Sequence, residues 1–286
     1  MKTIQHYFKK AKSEGFAIGA FNAANIETIK AIVAAAKNLN SPIIIESSHG
    51  EVEFIRPKNL IDIIKNYRQE TGLPIFTNLD HGPTVEDCKQ AIKDGFNLVH
   101  YNGAHLSLQE NIKNTKELVN LAHKRNILIE AELGKISGSS SLHKDQTAKQ
   151  AQSEGVYTDP KEASIFATKT KVDTLATFFG NVHGMFKTAP KLDLTRLKEI
   201  REKTSCFLSL HGGSGIPNDQ VKKAIKIGVV KVNVNSELRL AYKNTLTKDL
   251  NKTDEAAIYK IMPHTIQTVQ KVVEEKIKLF GSNNKA

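Results

Sequence analysis

A chain of 286 residues with 40% hydrophobic and 25% charged side chains can bury one large α/β core or two small ones, and its composition excludes general disorder. Lys plus Arg number 41 against 30 Asp plus Glu, a formal charge of +11, a balance that attracts polyanions or phosphorylated metabolites. The basic residues are scattered in pairs such as Lys9-Lys10, Lys124-Arg125 and Lys222-Lys223, without a helix-turn-helix or aromatic RNA-binding motif. A solvated basic surface is therefore favoured and no nucleic-acid partner is expected.

The first 15 residues lack the apolar core of a signal peptide. They read as an amphipathic helix with Ile4, Tyr7, Phe8 and Ala11 on one face. Short apolar runs then alternate with helical patterns: 17–21, 42–47, 74–80, 97–102, 127–133, 173–180, 206–212 and 229–234. Each run is short and apolar enough to be a strand buried on both faces. Helical spacing marks 25–39, 106–126 and 218–228. Pro57, Pro83, Pro160 and Pro217 sit near helix starts, and Gly15, Gly72, Gly95 and Gly228 near helix ends.

Eight strands separated by helices predict a single α/β domain over 1–286, a closed (β/α)8 TIM barrel with an added C-terminal helical arm at 237–280. An open doubly wound sheet is the alternative, but the first strand is followed by AFNAAN, not by a glycine fingerprint. Segments 137–155 and 281–286 read as weakly structured. Cys88 and Cys206 are far apart and form neither a metal spacing nor a disulfide framework, so a cytoplasmic location is expected. No run is long enough for a membrane span.

In such a barrel the active site lies at the carboxyl ends of the strands. Those positions hold Asn22, Ser48, Asp80, His81, Asn102, His105, Glu132, His183, His211 and Asn233. His81, His183 and His211 follow the third, sixth and seventh apolar runs, and each precedes a glycine. Three neutral imidazoles around an open position make a catalytic zinc site, with the ion as Lewis acid toward a carbonyl. Asp80 is adjacent to His81. Neighbouring side chains on a strand diverge, which leaves Asp80 free for proton transfer. HGGSG (211–215) and NVNSE (233–237) follow the last two strands, where barrels often bind phosphate at a helix N-terminus. A phosphate-anchored carbonyl substrate beside zinc and an Asp favours carbon–carbon bond cleavage or formation over isomerisation or hydrolysis.

The motifs GAFNAANIETIKAI (19–32), SPIIIESSHG (41–50), LDHG (79–82), EAELG (130–134), YTDP (157–160), GNVHGMFKTAPKLDL (180–194), LHGGSG (210–215), VKVNVNSEL (230–238) and KIKLFGS (276–282) resemble the class II, zinc-dependent ketose-bisphosphate aldolases. The resemblance covers nearly the whole chain. It implies reversible cleavage of a ketose 1,6-bisphosphate, fructose 1,6-bisphosphate first, to dihydroxyacetone phosphate and glyceraldehyde 3-phosphate. It implies His81, His183 and His211 as zinc ligands, Glu132 as a ligand in an alternative position, and Asp80 as the acid/base for the C4 hydroxyl. Asn233 matches a residue near the enediolate. Gly184, Gly212, Gly213, Ser214, Asn235 and Ser236 match the dihydroxyacetone-phosphate site. Asn22 and Ser48 match substrate contacts, and Lys187 a stretch that orders over the phosphate. Zinc is the implied cofactor, with room for a monovalent cation, and a homodimer or homotetramer is the implied assembly.

Departures from the family pattern are local. Asn102 stands where an Asp is usual. The expected mobile loop at 135–155 carries serines at 139–141 in place of acids, with Asp145 the nearest carboxylate. Ser236 replaces a Thr, and a tail Arg has no match except Lys260. These changes leave open a tagatose bisphosphate, another ketose phosphate, or a weakly active or non-catalytic sugar-phosphate binder.

Overall fold

The computed structural model describes residues 2–286. In chain order its first half contains α1 (Ile4–Glu14), β1 (Ile18–Asn22), α2 (Ile26–Leu39), β2 (Ile43–Ser48), α3 (His49–Ile55), α4 (Pro57–Thr71), β3 (Ile75–Gly82), α5 (Val85–Asp94), β4 (Leu98–Tyr101) and α6 (Leu108–His123). Next come β5 (Leu128–Leu133), β6 (Gly138–His143), α7 (Ala148–Ser153), α8 (Pro160–Thr170), β7 (Thr174–Thr177) and β8 (His183–Phe186). The last part holds α9 (Leu194–Lys203), β9 (Phe207–Leu210), α10 (Asn218–Ile227), β10 (Val229–Val234), α11 (Ser236–Leu250) and α12 (Ile258–Phe280).

Eight strands close into a parallel barrel in the order β1-β10-β9-β7-β5-β4-β3-β2. Every strand candidate in the sequence supplies one of them, because strands buried on both faces carry continuous apolar runs. The open-sheet alternative is excluded by the β1–β10 pairing, with Ala20 opposite Asn233. Pro57 and Pro160 are the first residues of α4 and α8, and Pro217 is the N-cap of α10. Gly15, Gly72, Gly95 and Gly228 each follow the last residue of a helix.

The amino-terminal mouth of the barrel is plugged by α1. Its Ile4, Tyr7, Phe8 and Ala11 are buried against Ile18, Ile44, Phe76, Leu98 and Val230, each aliphatic or aromatic side chain contributing roughly 1.5–3 kcal/mol. That plug leaves the opposite, carboxyl-end mouth as the accessible one.

Two expectations need revision. The C-terminal arm is not one unit. The helix α11 follows the last barrel strand as its regular partner, and only α12 is added, packed against α2 and α11. It is held by Val269, Val273, Ile277 and Phe280, and its last turn is tied to β1 by the Ala17 N–H donating to Phe280 O at 3.0 Å. Segment 137–155 is not irregular either. It forms β6, which pairs in parallel with β8 over the carboxyl-end mouth, and then α7. Ile136, Ala148, Ala151, Phe178 and Val182 form a small core beneath it. A glycine and three serines in a row, Gly138–Ser141, hide this ribbon from apolar periodicity. Even the tail is engaged: the Asn284 N–H donates to Leu39 O at 2.8 Å.

Candidate active site

The strand ends and the ribbon over them bring most of the expected residues to one mouth, but through a route the sequence concealed. Asp80 and His81 both line the same cavity, and Asp80 Oδ1 is 3.3 Å from His81 Nε2. They do not diverge. The ladder between β3 and β4 shifts register between Leu79 and Gly82, and His81 has φ 115°. A bulky residue in that region is an outlier held by its surroundings. The irregularity turns the imidazole back beside the carboxylate.

The barrel sheet does not carry His183. After β7 the chain leaves the barrel, and His183 opens β8 in the ribbon. Its ring centroid lies 5.4 Å from that of His81 and 5.9 Å from that of His211. His211 directly follows β9 and approaches His81, with Nδ1 3.1 Å from His81 Nε2. The tightest group of metal-competent donors is Asp80, His81, His100 and His211, whose ligand atoms all lie within 4.8 Å of one another. Among these, His100 was not expected.

A buried polar layer supports the strand ends. Along a barrel strand alternate residues point inward, so the residue two before each strand-end group sits one layer deeper. Glu46, Asn78, His100, Glu130, Ser209 and Lys231 stand in that relation to Ser48, Asp80, Asn102, Glu132, His211 and Asn233, and all six are buried. Lys231 Nζ donates to Glu130 Oε2 at 2.7 Å and lies 3.4 Å from Glu46. Glu130 Oε1 is 2.8 Å from His211 Nε2. That contact makes Nε2 the protonated nitrogen of His211 and leaves the Nδ1 lone pair facing His81, as a carboxylate does for a metal-bound histidine.

The charge states suit a metal. Burial, and then the neighbouring imidazole of His100, holds His81 well below the usual histidine range. Burial pushes His183 down to about 4, and burial likewise lowers His211 despite Glu130. Neutral imidazoles offer lone pairs. Burial alone would raise the Asp80 carboxyl, but His81, His100, His211 and Lys231 outweigh it and keep it well below its usual value. The Asn22 and Asn233 amides also donate to its two oxygens, at 3.1 and 3.2 Å. Glu132 differs: burial pushes it up to about 7, and its Oε2 lies 3.6 Å from His81 Nδ1 with no hydrogen-bond partner. Crowded neutral imidazoles, an anionic carboxylate and an orphaned glutamate oxygen fit a divalent cation with N/O ligands.

Two adjoining cavities open from this cluster and share Asp80, Ser140, His183 and Asn235. The inner one adds Asn22, Gly184, His211, Gly212, Ser214, Asn233 and Ser236. Its far wall is the N-terminus of α11, where backbone N–H groups favour an anion. Buried Oδ1 atoms of Asn22, Asn233 and Asn235 have no protein partner. Gly212 has φ 64°, and a Cβ there would strike Val182 O. The outer cavity adds Ser48, His81, Asn102, Ile136, Gly138, Ser139 and Arg239.

Several expected residues stand elsewhere. Gly213 lines neither cavity. Its N–H is taken by Asn233 O at 2.9 Å, and a Cβ would meet that same oxygen at 2.6 Å. Gly213 thus shapes the loop and presents no N–H to an anion. Lys187 is exposed past β8 and lines neither cavity, and His105 and Asp145 are exposed. Lys260 pairs with Glu255 on the surface at 2.9 Å.

A closed barrel with a buried histidine–carboxylate cluster that could hold a metal ion, beside a cavity lined by a helix N-terminus, has the layout of a barrel enzyme suited to anionic substrates. The chain matches the family model "Fructose-bisphosphate aldolase class-II" over residues 2–285. It is 36% identical to a fructose-bisphosphate aldolase of Geobacillus stearothermophilus over 292 residues, covering 99% of this chain and 98% of that one. It is 35% identical over 280 residues to a 6-phospho-5-dehydro-2-deoxy-D-gluconate aldolase of Shouchella clausii, covering 96% and 93%. The crystal structure of the YdjI aldolase from Escherichia coli K12 superposes with a TM-score of 0.84 at 30% identity, over 100% of this chain and 99% of that one. The chain therefore belongs to the class II fructose-bisphosphate aldolase family, and it is an aldehyde-lyase. Among the described residues no helix is long and apolar enough to cross a membrane.

Proposed function

We propose that this lyase cleaves fructose 1,6-bisphosphate reversibly to dihydroxyacetone phosphate and glyceraldehyde 3-phosphate, with zinc as its metal. The observation that carries the reading is the position of Asp80: its carboxylate adjoins the imidazole cluster and lines both cavities. His81, His183 and His211 would hold the ion, with Glu132 as an alternative ligand. When bound, zinc supplies Lewis acidity toward the ketose carbonyl.

The residues of the chain do the rest. Asp80, ionised and gripped by Asn22 and Asn233, takes the C4 hydroxyl proton. The C3–C4 bond breaks, the aldehyde leaves, and the bond electrons pass into the enediolate of the dihydroxyacetone-phosphate half. Asn233 stands beside that half, and return of a proton to C3 completes the product. Ser140 lines both cavities and brings a hydroxyl to this point, where the family pattern has an acid. Gly184, Gly212, Ser214, Asn235 and Ser236 cradle the first phosphate, with Gly213 holding the loop in shape. Asn22 and Ser48 contact the sugar, and Lys187 serves only by closing over the phosphate. The protein works in the cytoplasm as a homodimer or homotetramer on this reading.

Relatives of nearly equal identity, 35% and 36%, carry different substrate names, so the substrate is a matter for assay. Fructose 1,6-bisphosphate, tagatose 1,6-bisphosphate and fructose 1-phosphate, each with added zinc, separate the choices. Fructose 1,6-bisphosphate is expected to have the highest kcat/KM. A preference for either of the others by tenfold or more, about 1.4 kcal/mol in transition-state binding, would replace it.

A further inference from the structure

Glu51 lies in the first turn of α3, and its side chain is 13% exposed. Its carboxylate gathers donors from three residues of the active-site wall. Oε2 accepts the Ser48 N–H at 2.8 Å, the Ser48 hydroxyl at 3.0 Å and the Asn22 amide at 3.0 Å. Oε1 pairs with Arg239 Nη2 at 2.5 Å. Ser48 and Arg239 line the outer cavity and Asn22 lines the inner one. Glu51 itself lines a third cavity, which shares Asn22 and Asn235 with the inner cavity and Arg239 with the outer one. The carboxylate therefore stands directly behind the wall of the site.

Helix capping accounts for the two Ser48 bonds, since Glu51 is the third residue of α3 and Ser48 its N-cap. It does not account for the bonds from Asn22 and Arg239, which come from β1 and α11. The same Asn22 amide also donates to Asp80 Oδ2 at 3.1 Å, so one side chain separates Glu51 from the proton acceptor. Arg239 is the cation of the outer cavity, and Lys243 lines only the third. Paired with Glu51, Arg239 offers an entering molecule an ion pair of no net charge. A phosphate there is attracted by the guanidinium and repelled by the carboxylate behind it. At an effective dielectric of about 20, a unit charge about 8 Å from another shifts an equilibrium by roughly tenfold or more.

We propose that Glu51 is the specificity-determining residue at the aldehyde end of the site. By pairing with Arg239 it lowers the advantage of a phosphorylated aldehyde over an uncharged one, so that ketose 1-phosphates with an uncharged tail are substrates beside the bisphosphate. The proposal rests on the aldol reading of the site given above. Glu51 touches no reacting atom in this account. It acts through Arg239, whose charge it balances, and through Ser48 and Asn22, whose donors it holds.

The test is the ratio of kcat/KM for condensation of dihydroxyacetone phosphate with glyceraldehyde 3-phosphate to that with glyceraldehyde, measured with added zinc in the wild type and in Glu51→Gln. Glutamine keeps the size of the side chain and an acceptor for Ser48 and Asn22, but removes the charge that balances Arg239. The ratio is expected to rise about tenfold, the effect of one unit charge on a nearby phosphate. A general disturbance of the site would lower both rates alike and leave the ratio where it was. A rise of less than about 3-fold, or a fall, overturns the proposal. If Glu51→Gln does not fold, Glu51→Ala decides by the same ratio. A wild type that condenses neither aldehyde would overturn the aldol reading and this inference with it, whereas a wild type active on both whose ratio ignores Glu51 overturns this inference alone.

Discussion

Asp80 Oδ1 lies 3.3 Å from His81 Nε2 although the two residues are consecutive in a strand, where neighbours normally face opposite ways. The positive φ of His81 makes this possible, at a strain cost of about 1–3 kcal/mol. On the proposed reading, the conformation lets one strand end supply both an imidazole for the metal and a proton acceptor for the substrate. Asp80→Ala is therefore expected to lower kcat for cleavage by roughly 10²–10⁴ while the imidazoles still retain zinc. Metal content and steady-state rate on the same sample check it. Full loss of zinc would mean that Asp80 acts chiefly as a ligand.

The buried Glu130 carboxylate joins Lys231 to His211. Burial would raise its pKa, but Lys231 and His211 outweigh that and keep it well below the usual range. Glu130→Gln keeps the shape and removes the charge, leaving Lys231 with only the longer Glu46 contact. Removing one partner of a buried ion pair costs about 3–5 kcal/mol, so urea unfolding of the zinc-free protein is expected to show a loss near the lower end of that range. Zinc affinity should fall about 10–100-fold as well, because His211 loses its orienting partner. An unfolding midpoint and zinc affinity equal to the wild type would show that Glu130 does neither.

This deeper layer also marks the limit of what sequence conveys. The eight barrel strands were readable because each is an apolar run, and the plug was readable because Ile4, Tyr7, Phe8 and Ala11 fall at helical spacing. His100, Glu130 and Lys231 interrupt NLVHYN, ILIEAEL and VVKVNV as isolated polar residues, so apolar patterning treats them as noise. The signal that finds them is the strand period of two, counted backward from the strand-end residues. His183 follows DTLATFFG, which reads as one strand, but the strand stops at Thr177. The β6–β8 ribbon was invisible because its residues are small and polar, and its pairing partner lies about forty residues away.

Gly212 holds φ 64° at a point where a Cβ would strike Val182 O. Gly212→Ala is expected to displace the loop that ends at Gly215, with a stability loss above the roughly 0.4–1 kcal/mol that a compatible Gly-to-Ala change would gain. It should raise KM for the phosphorylated substrate more than it lowers kcat. Inhibition by inorganic phosphate gives the same information without turnover. An unchanged inhibition constant would place the phosphate away from this loop.

Arg239 is the cation that lines the outer cavity. Its Nη2 pairs with Glu51 Oε1 at 2.5 Å and its Nη1 donates to Ser140 O at 3.3 Å. A guanidinium has five N–H donors, so three remain for an anion on the aldehyde half. Arg239→Leu is expected to lower kcat/KM about 10–100-fold for condensation of dihydroxyacetone phosphate with glyceraldehyde 3-phosphate, as the loss of a charge-assisted hydrogen bond worth about 1.5–3 kcal/mol would. With uncharged glyceraldehyde the change should stay under about 3-fold. Equal losses with both aldehydes would make Arg239 a structural tie between α3 and the ribbon.

On the proposed reading the imidazole cluster holds a zinc ion, and cleavage of fructose 1,6-bisphosphate depends on that ion. That dependence is tested most directly by following triose-phosphate release through a coupled reaction in protein stripped with a chelator and then restored with stoichiometric zinc. The stripped protein is predicted to be inactive and the restored protein to regain full activity. Undiminished cleavage by protein shown to be free of metal would contradict that reading.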